Sequence, residues 1–445
     1  MPLALRRLLY SAFIAVFLAV APLLVVYSMG YRYHPEKHRF ERTGLIVLDG
    51  TPEQATVLVD GTVRATRLPA RIGGLGENVY TLRVEQSGFH PWEQRVSVTS
   101  GHTTFATALR LFRIADPVRI ATGTTARLAT SADGHWAAWV RTEQGFEELW
   151  LHDLVRDTRT LVYRAPPQGI TITWSPQDAM LLLHTAADTL VVDPDAPRVL
   201  LSLRTLLSHV PNAVQWELES SSAVIAVAEG RLSRVHLATA RAVTLPVPVP
   251  ETPFAVARAT LYVVRQLANP HDRDSEIVAV PLDGSAPHTI TTFPGSIARF
   301  VGMRDTTLIA EQDTPLGVAT MDIDTTDGTI VIQNGYARDA RGDAVLWRTN
   351  ANELWMERGK PPTATLLVRR DAPLVDTRWL PDAPYAMLAT DRDIHAVALD
   401  HPTPNRTTLL ATFDHIIGAT VLADSSTLLI AGTHNDEDGL WRLPL

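Results

Sequence analysis

The stretch Ser131-Ala132-Asp133-Gly134-His135-Trp136-Ala137-Ala138-Trp139-Val140 decides how this chain folds, because its apolar half returns seven more times. The returning runs are Met180-Leu181-Leu182-Leu183, Ala223-Val224-Ile225-Ala226, Thr260-Leu261-Tyr262-Val263, Thr307-Leu308-Ile309-Ala310, Ala344-Val345-Leu346-Trp347, Tyr385-Ala386-Met387-Leu388 and Thr427-Leu428-Leu429-Ile430. Each is followed by a third run, such as Glu148-Leu149-Trp150-Leu151, Glu353-Leu354-Trp355-Met356 or Gly439-Leu440-Trp441-Arg442-Leu443. All but the last unit add a fourth, such as Thr160-Leu161-Val162-Tyr163 or Thr365-Leu366-Leu367-Val368. Short apolar runs bounded by turn residues are strands. A period of about forty residues made of strands reads as the blades of a β-propeller. The count predicts eight blades, or seven if one unit is misassigned.

The eighth unit lacks a fourth run, while Pro117-Val118-Arg119-Ile120-Ala121 stands alone before the first. Placing that strand in the last blade closes the ring and removes two exposed sheet edges. Ser131-Ala132-Asp133-Gly134 and Trp174-Ser175-Pro176-Gln177-Asp178 resemble the first-hairpin turn of TolB-like and WD40-like propellers. Asp-Gly suits the tight turn between a blade's first two strands.

Across 445 residues the chain is 46% hydrophobic and carries a net charge of −8, with no cysteine. This composition belongs to a folded protein, and it lacks the basic excess of a nucleic-acid binder. Disulfides, thiolate nucleophiles and cysteine-bound metal are excluded.

Arg6 and Arg7 precede an apolar stretch from Leu8 to Met29. About 22 residues of helix cover about 33 Å, enough for a hydrocarbon core. Tyr10 at one end and Tyr27, Tyr31 and Tyr33 at the other match interfacial aromatic belts. The alternative is a cleaved signal peptide, whose apolar region is shorter; Pro22 spoils the site after Ala19-Val20-Ala21, whereas Ser28-Met29-Gly30 stays open to cleavage. Arg32, Lys37, Arg39 and Arg42 follow the helix, so charge alone does not orient it.

From Thr43 to Arg113 the runs Leu45–Leu48, Thr56–Val59, Tyr80–Val84, Glu93–Val98 and Phe105–Leu109 read as strands, punctuated by Asp60-Gly61 and Ser100-Gly101. Pro52-Glu53-Gln54-Ala55, Val59-Asp60-Gly61, Leu68-Pro69 and Gly88-Phe89 with Trp92 together resemble a PEGA domain, a small β-sandwich of bacterial envelope proteins. Gln54 stands where that signature has glycine. The resemblance implies a body outside the cytoplasmic membrane.

The chain is thus expected to be all-β behind its anchor: residues 1–31 a transmembrane signal anchor, 32–42 a juxtamembrane linker, 43–113 a PEGA-like β-sandwich, and 114–445 a propeller closed by strand 117–121. The expected location is the cytoplasmic membrane, single-pass, with the bulk extracytoplasmic.

Candidate sites are few. Arg299, Arg338 and Arg378 fall on the innermost strands of three consecutive blades, where they could face the central channel and bind a carboxylate or phosphate; Asp339, Asp343, Asp376 or Asp382 could instead neutralise them. Trp174, Trp216 and Trp379, and Trp150, Trp355 and Trp441, recur at equivalent positions and read as blade-to-blade packing rather than sugar platforms. Asp322, Asp324 and Asp327, and Asp436 and Asp438, miss the spacing of calcium loops. His34 and His38 lack a third metal ligand. No nucleophile elbow, phosphate loop or zinc motif is present. The functional expectation is a membrane-anchored binding or scaffold protein for an envelope protein, peptide or glycan, without cofactor, metal or nucleic acid. The alternative is a propeller enzyme acting on glycans or peptides with carboxylates from different blades.

Overall fold

The computed structural model describes residues 3–28, 31–34, 39–220, 222–249, 253–267, 274–315, 317–341, 344–359, 363–381, 383–399, 407–422 and 424–445. The chain forms two compact units, Met1–Ile114 and Ala115–Leu445.

Among the described residues the second unit is all-β apart from the short helix Leu203–Leu207, and its strands form eight four-stranded antiparallel sheets. Seven of these blades run in sequence order, the first as Thr124–Thr130, Trp136–Glu143, Phe146–Asp153 and Thr158–Ala165. Second strands are covered on both faces: every residue of Ala223–Ala228 and of Tyr385–Thr390 is buried. That double burial is why these strands read as unbroken apolar runs rather than alternating ones.

Apolar side chains join blade to blade around the circle. Val140 and Leu149 of the first blade pack with Ile172 and Leu181 of the second. Leu182 meets Trp216 and Val224 of the third blade, and Ile225 meets Phe254 and Leu261 of the fourth. Ile277 packs with Leu308 and Met321 of the fifth, and Leu346 of the sixth packs with Ala386 and Leu388 of the seventh. Trp139 of the first blade packs with Leu429 and Leu440 of the eighth. The remaining junctions are bridged by Asn350 of the sixth blade donating to the Val318 carbonyl of the fifth at 2.8 Å and Ile416 N–H of the eighth donating to the Asp391 carbonyl of the seventh at 2.7 Å, which makes the arrangement a closed ring.

The eighth blade is assembled from both ends of the unit. Its inner strands are His415–Val421, Thr427–His434 and Glu437–Pro444, and its outermost strand is Val118–Thr122. Val118 faces Arg442, Arg119 faces Trp441, Ala121 faces Leu440 and Thr122 faces Gly439, with a bulge at Ile120. The approach at Gly439 is tight, since a Cβ there would lie 2.3 Å from the Ala121 carbonyl oxygen.

The first-hairpin turn keeps its hydrogen bond where its sequence signature has faded. Ser131 N–H donates to the Trp136 carbonyl at 2.9 Å and Ser175 N–H to Met180 at 2.8 Å. Leu380 to Tyr385 and Leu422 to Thr427 repeat the same five-residue span at 2.8 and 2.9 Å. In the first blade Gly134, at φ 72°, supplies the left-handed residue of the turn.

The first unit contains the helix Leu3–Ser28, the two-stranded ribbon Tyr31–His34 with Arg39–Arg42, and a sandwich. Side chains of the helix are described for Tyr10–Pro22, Leu24 and Val25, about 24 Å of helix. Among the described residues no helix is long and apolar enough to cross a membrane. The described apolar side chains are nonetheless exposed around the whole helix, among them Phe13, Val16, Phe17, Leu18 and Leu24. His38 and the side chain of His34 lie outside the described residues.

The sandwich packs a three-stranded sheet, ordered Ala70–Leu75, Gly44–Thr51, Thr103–Arg110, on a four-stranded one, ordered Thr62–Ala65, Thr56–Val59, Asn78–Glu85, Trp92–Val98. Alternating side chains such as Ile46, Leu48, Val57, Val59, Leu82, Val84, Val96 and Val98 fill one core between them. The central pair Gly44–Thr51 and Thr103–Arg110 is parallel. Asp60 and Gly61 both carry positive φ, 46° and 78°, as a two-residue hairpin turn demands. Gln54 does not carry a positive φ, so the turn accepts its side chain.

Ring closure makes a specific demand at Gly439. Gly439→Ala should lower the unfolding temperature of the second unit by several degrees, because the added methyl forces the closing strand away. Gly302→Ala, where a Cβ would meet nothing within 4 Å, should leave it unchanged. Equal melting temperatures for the two variants would show that the closing strand is not held there.

Candidate functional site

A cavity of about 890 Å³ lies beside the closing strand. That volume is within the range of small-molecule sites. One wall is Arg119, Ile120, Ala121 and Thr122 of the closing strand; the other is the first blade, with Trp139, Arg141, Glu143, Trp150, Asp157, Thr158 and Arg159. Because the second and third strands of a blade run antiparallel in register, Trp139 sits directly opposite Trp150. Their rings stack with centroids 5.9 Å apart and planes 12° apart. The Arg141 guanidinium also lies over the Trp150 ring, 5.2 Å from its centroid.

Polar groups stitch the two walls together. Arg141 donates to the Thr122 carbonyl at 2.7 Å, and Arg159 donates to the Ile120 carbonyl. These guanidinium groups therefore cover carbonyls on the open edge of the closing strand, a position that otherwise invites strand addition. The Thr122 hydroxyl donates to Glu143, and the Arg442 guanidinium pairs with Asp157. Arg141 also pairs with Glu143 at 2.7 Å and Glu148 at 2.9 Å, and Arg119 pairs with Glu437 at 3.1 Å.

Behind Asp157 lies His152, wholly buried and tilted against Trp139. Burial lowers its pKa, outweighing the pull of Asp157 in the other direction, so the ring is neutral and its Nε2–H donates to Asp157 at 2.7 Å. Burial pushes the Asp157 carboxyl up, but the hydrogen bonds from His152 and Arg442 outweigh it and hold the pKa below the usual value. Glu148 behaves alike: burial opposes ionisation, while the Trp150 indole and Arg141 favour it and prevail. An ionised, hydrogen-bonded Asp157 accepts protons poorly and has none to give. Trp139 is 1% exposed, and its Nε1–H has no hydrogen-bond partner among the described residues. An orphaned buried donor at a cavity wall is costly in the empty protein.

The three arginines read from the sequence lie elsewhere. Arg299 is on Ile297–Arg304, opposite Glu311, which it clasps through Nε at 2.6 Å and Nη2 at 3.1 Å. Arg378 is on Leu374–Trp379, opposite Met387, with Nε 3.6 Å from Asp376, an ion pair too long for a hydrogen bond. Arg338 is on Tyr336–Arg341, and its side chain lies outside the described residues, as do that of Asp339 and the whole of Asp343 and Asp382. Arg299 lies opposite the fifth residue of its neighbouring second strand and Arg378 opposite the third, so the two occupy different levels of their blades.

The recurrent tryptophans do two jobs. Trp174 donates to the Ala129 carbonyl of the preceding blade, and Trp216 to Thr173 of its own predecessor, both at 3.1 Å. Trp355 stacks on Trp347 as Trp150 does on Trp139, and donates to Glu353 as Trp150 does to Glu148. The aspartates of the calcium-like stretches are taken up by neighbours: Asp324 accepts from Thr306 and Thr326, and Asp438 from Thr124 and Thr433.

Residues 43–111 match the PEGA domain family. No curated protein matches the chain. Among solved structures, the Dos1 propeller is 13% identical, covering 75% of this chain and 95% of its own at a TM-score of 0.43. BamB from Moraxella catarrhalis is 13% identical, covering 75% and 97% at 0.41. The WD40 domain of SCAP from fission yeast is 9% identical, covering 75% and 98% at 0.44. At such scores the propeller assignment stands on the strand pairing itself.

Buried histidines give the second unit a pH signature. His395 is pushed down to about 4 by burial and then by the charge of Arg370, against the pull of Asp393, and burial also lowers His152 and His184. Each folded-state pKa lies below the unfolded value, so the unfolded chain binds more protons as pH falls below about 6.5. Stability is complete above that pH and is lost on acidification. Between pH 7.5 and 5, His395 alone should cost about 2 kcal/mol. Thermal unfolding at the two pH values should show the drop, and His395→Gln should reduce it; an equal drop in the variant would contradict the assignment.

Proposed function

We propose that this protein is a binding protein of the bacterial cell envelope, held to the cytoplasmic membrane by its N-terminal helix, with the PEGA domain and propeller on the outer side. The helix supports the tether, because apolar side chains exposed all round it suit lipid rather than water. The PEGA match supports the extracytoplasmic side through the resemblance already described. The propeller supports binding, with an envelope protein, peptide or glycan component as the source of the ligand. The observation that carries the binding role is the seam cavity, which three guanidinium groups, Arg119, Arg141 and Arg159, line. Asp157 is held in the direction opposite to that of a general acid, so the geometry favours capture over glycoside or peptide hydrolysis.

Two measurements test this reading. After an alkaline carbonate wash the full chain should stay with membranes, whereas a chain beginning at Arg32 should be released; protease added to spheroplasts should digest the propeller. Release of the full chain, or a propeller protected in spheroplasts, would contradict the tether or its orientation.

For binding, a low-molecular-mass extract of the cell envelope should raise the melting temperature of the purified protein by mass action. Thr158→Trp, which fills the cavity from an exposed position, should abolish the rise. A rise that persists in the variant would move the site away from the seam.

A further inference from the structure

The hydrogen-bonding capacity of the seam cavity is unbalanced, and the imbalance defines its ligand. Its acceptors are engaged. Glu143 takes the Thr122 hydroxyl and Arg141, Asp157 takes His152 and Arg442, and the Ile120 and Thr122 carbonyls take Arg159 and Arg141. Its donors are in surplus. Arg159, which is exposed at the mouth, has no carboxylate within ion-pair reach among the described residues, although a guanidinium offers five N–H groups. Arg119, on the facing wall, shares its charge with Glu437 at 3.1 Å.

With its carboxylates and carbonyls already engaged and guanidinium N–H groups to spare, the cavity complements a ligand that accepts. We propose that the seam cavity binds a small oxyanion, a carboxylate or a phosphate, gripped by Arg159 with Arg119 opposite. This rests on the seam cavity being the ligand site. Residues 115–445 carry 27 basic and 40 acidic side chains, so general attraction of anions is absent and capture depends on these local donors. The bidentate fork of Arg159 suits both anion types.

Calorimetric titration of the full chain in detergent with inorganic phosphate, and separately with succinate, tests the inference and separates the two sources. Saturable binding of either is expected. Arg159→Gln should weaken it at least tenfold and Arg119→Gln at least threefold, while Arg304→Gln, at an exposed arginine outside the cavity, should leave it unchanged. No saturable binding of either anion, or binding that survives Arg159→Gln, overturns the inference. Maltose serves as the neutral probe. If it binds where both anions fail, and Thr158→Trp removes that binding, the seam remains a ligand site and only the anion class falls.

Discussion

The backbone pairing of Val118–Thr122 with Glu437–Pro444 is the constraint on which the second unit depends. It joins distant parts of the chain: Thr124 and Asp438, which hydrogen-bond beside it, are 314 positions apart. Bringing the ends of so long a segment together costs about 5 kcal/mol of chain entropy. Four residue pairs interrupted by a bulge do not offset that cost by a wide margin. The seam adds what the strand lacks: Trp139 against Leu429 and Leu440, and the arginines that cover the strand's outward carbonyls. Closure and the cavity are thus made by the same residues.

The propeller was legible in the sequence because its second strands are buried on both faces, which leaves runs such as Ala223–Ala228 with no polar interruption. Outer strands were legible as a count, since each is amphipathic and bounded by turns. In the first unit, Thr62–Ala65 and Ala70–Leu75 escaped notice. The former is mostly exposed, and the latter contains Gly73 and Gly74, so neither presents an apolar run. The ribbon Tyr31–His34 with Arg39–Arg42 escaped for a related reason: its sequence carries no run of apolar residues.

The cavity was hardly legible at all. Its walls come from Arg119 to Thr122, Trp139 to Trp150 and Asp157 to Arg159, and what joins them is ring closure rather than any local motif. One signal did exist. The echo of Glu-Leu-Trp at residues 148–150 and 353–355 marks indoles that donate to the glutamate two positions earlier and stack on a tryptophan across the strand. Recurrence implied packing, but it could not show that the first of these stacks borders a cavity. Arg299 illustrates the opposite limit. Strand alternation placed it on an inner strand, yet its carboxylate partner, Glu311, lies across the hairpin rather than among the nearby aspartates.

Hydrogen exchange followed by mass spectrometry tests ring closure most directly. In the full chain, amides of residues 118–122 should be protected together with those of residues 437–444, and ending the chain before Glu437 should expose residues 118–122 to rapid exchange. Rapid exchange at residues 118–122 in the full chain, or undiminished protection there after truncation, would show that the ring is not closed by this strand and that the seam cavity does not exist as described.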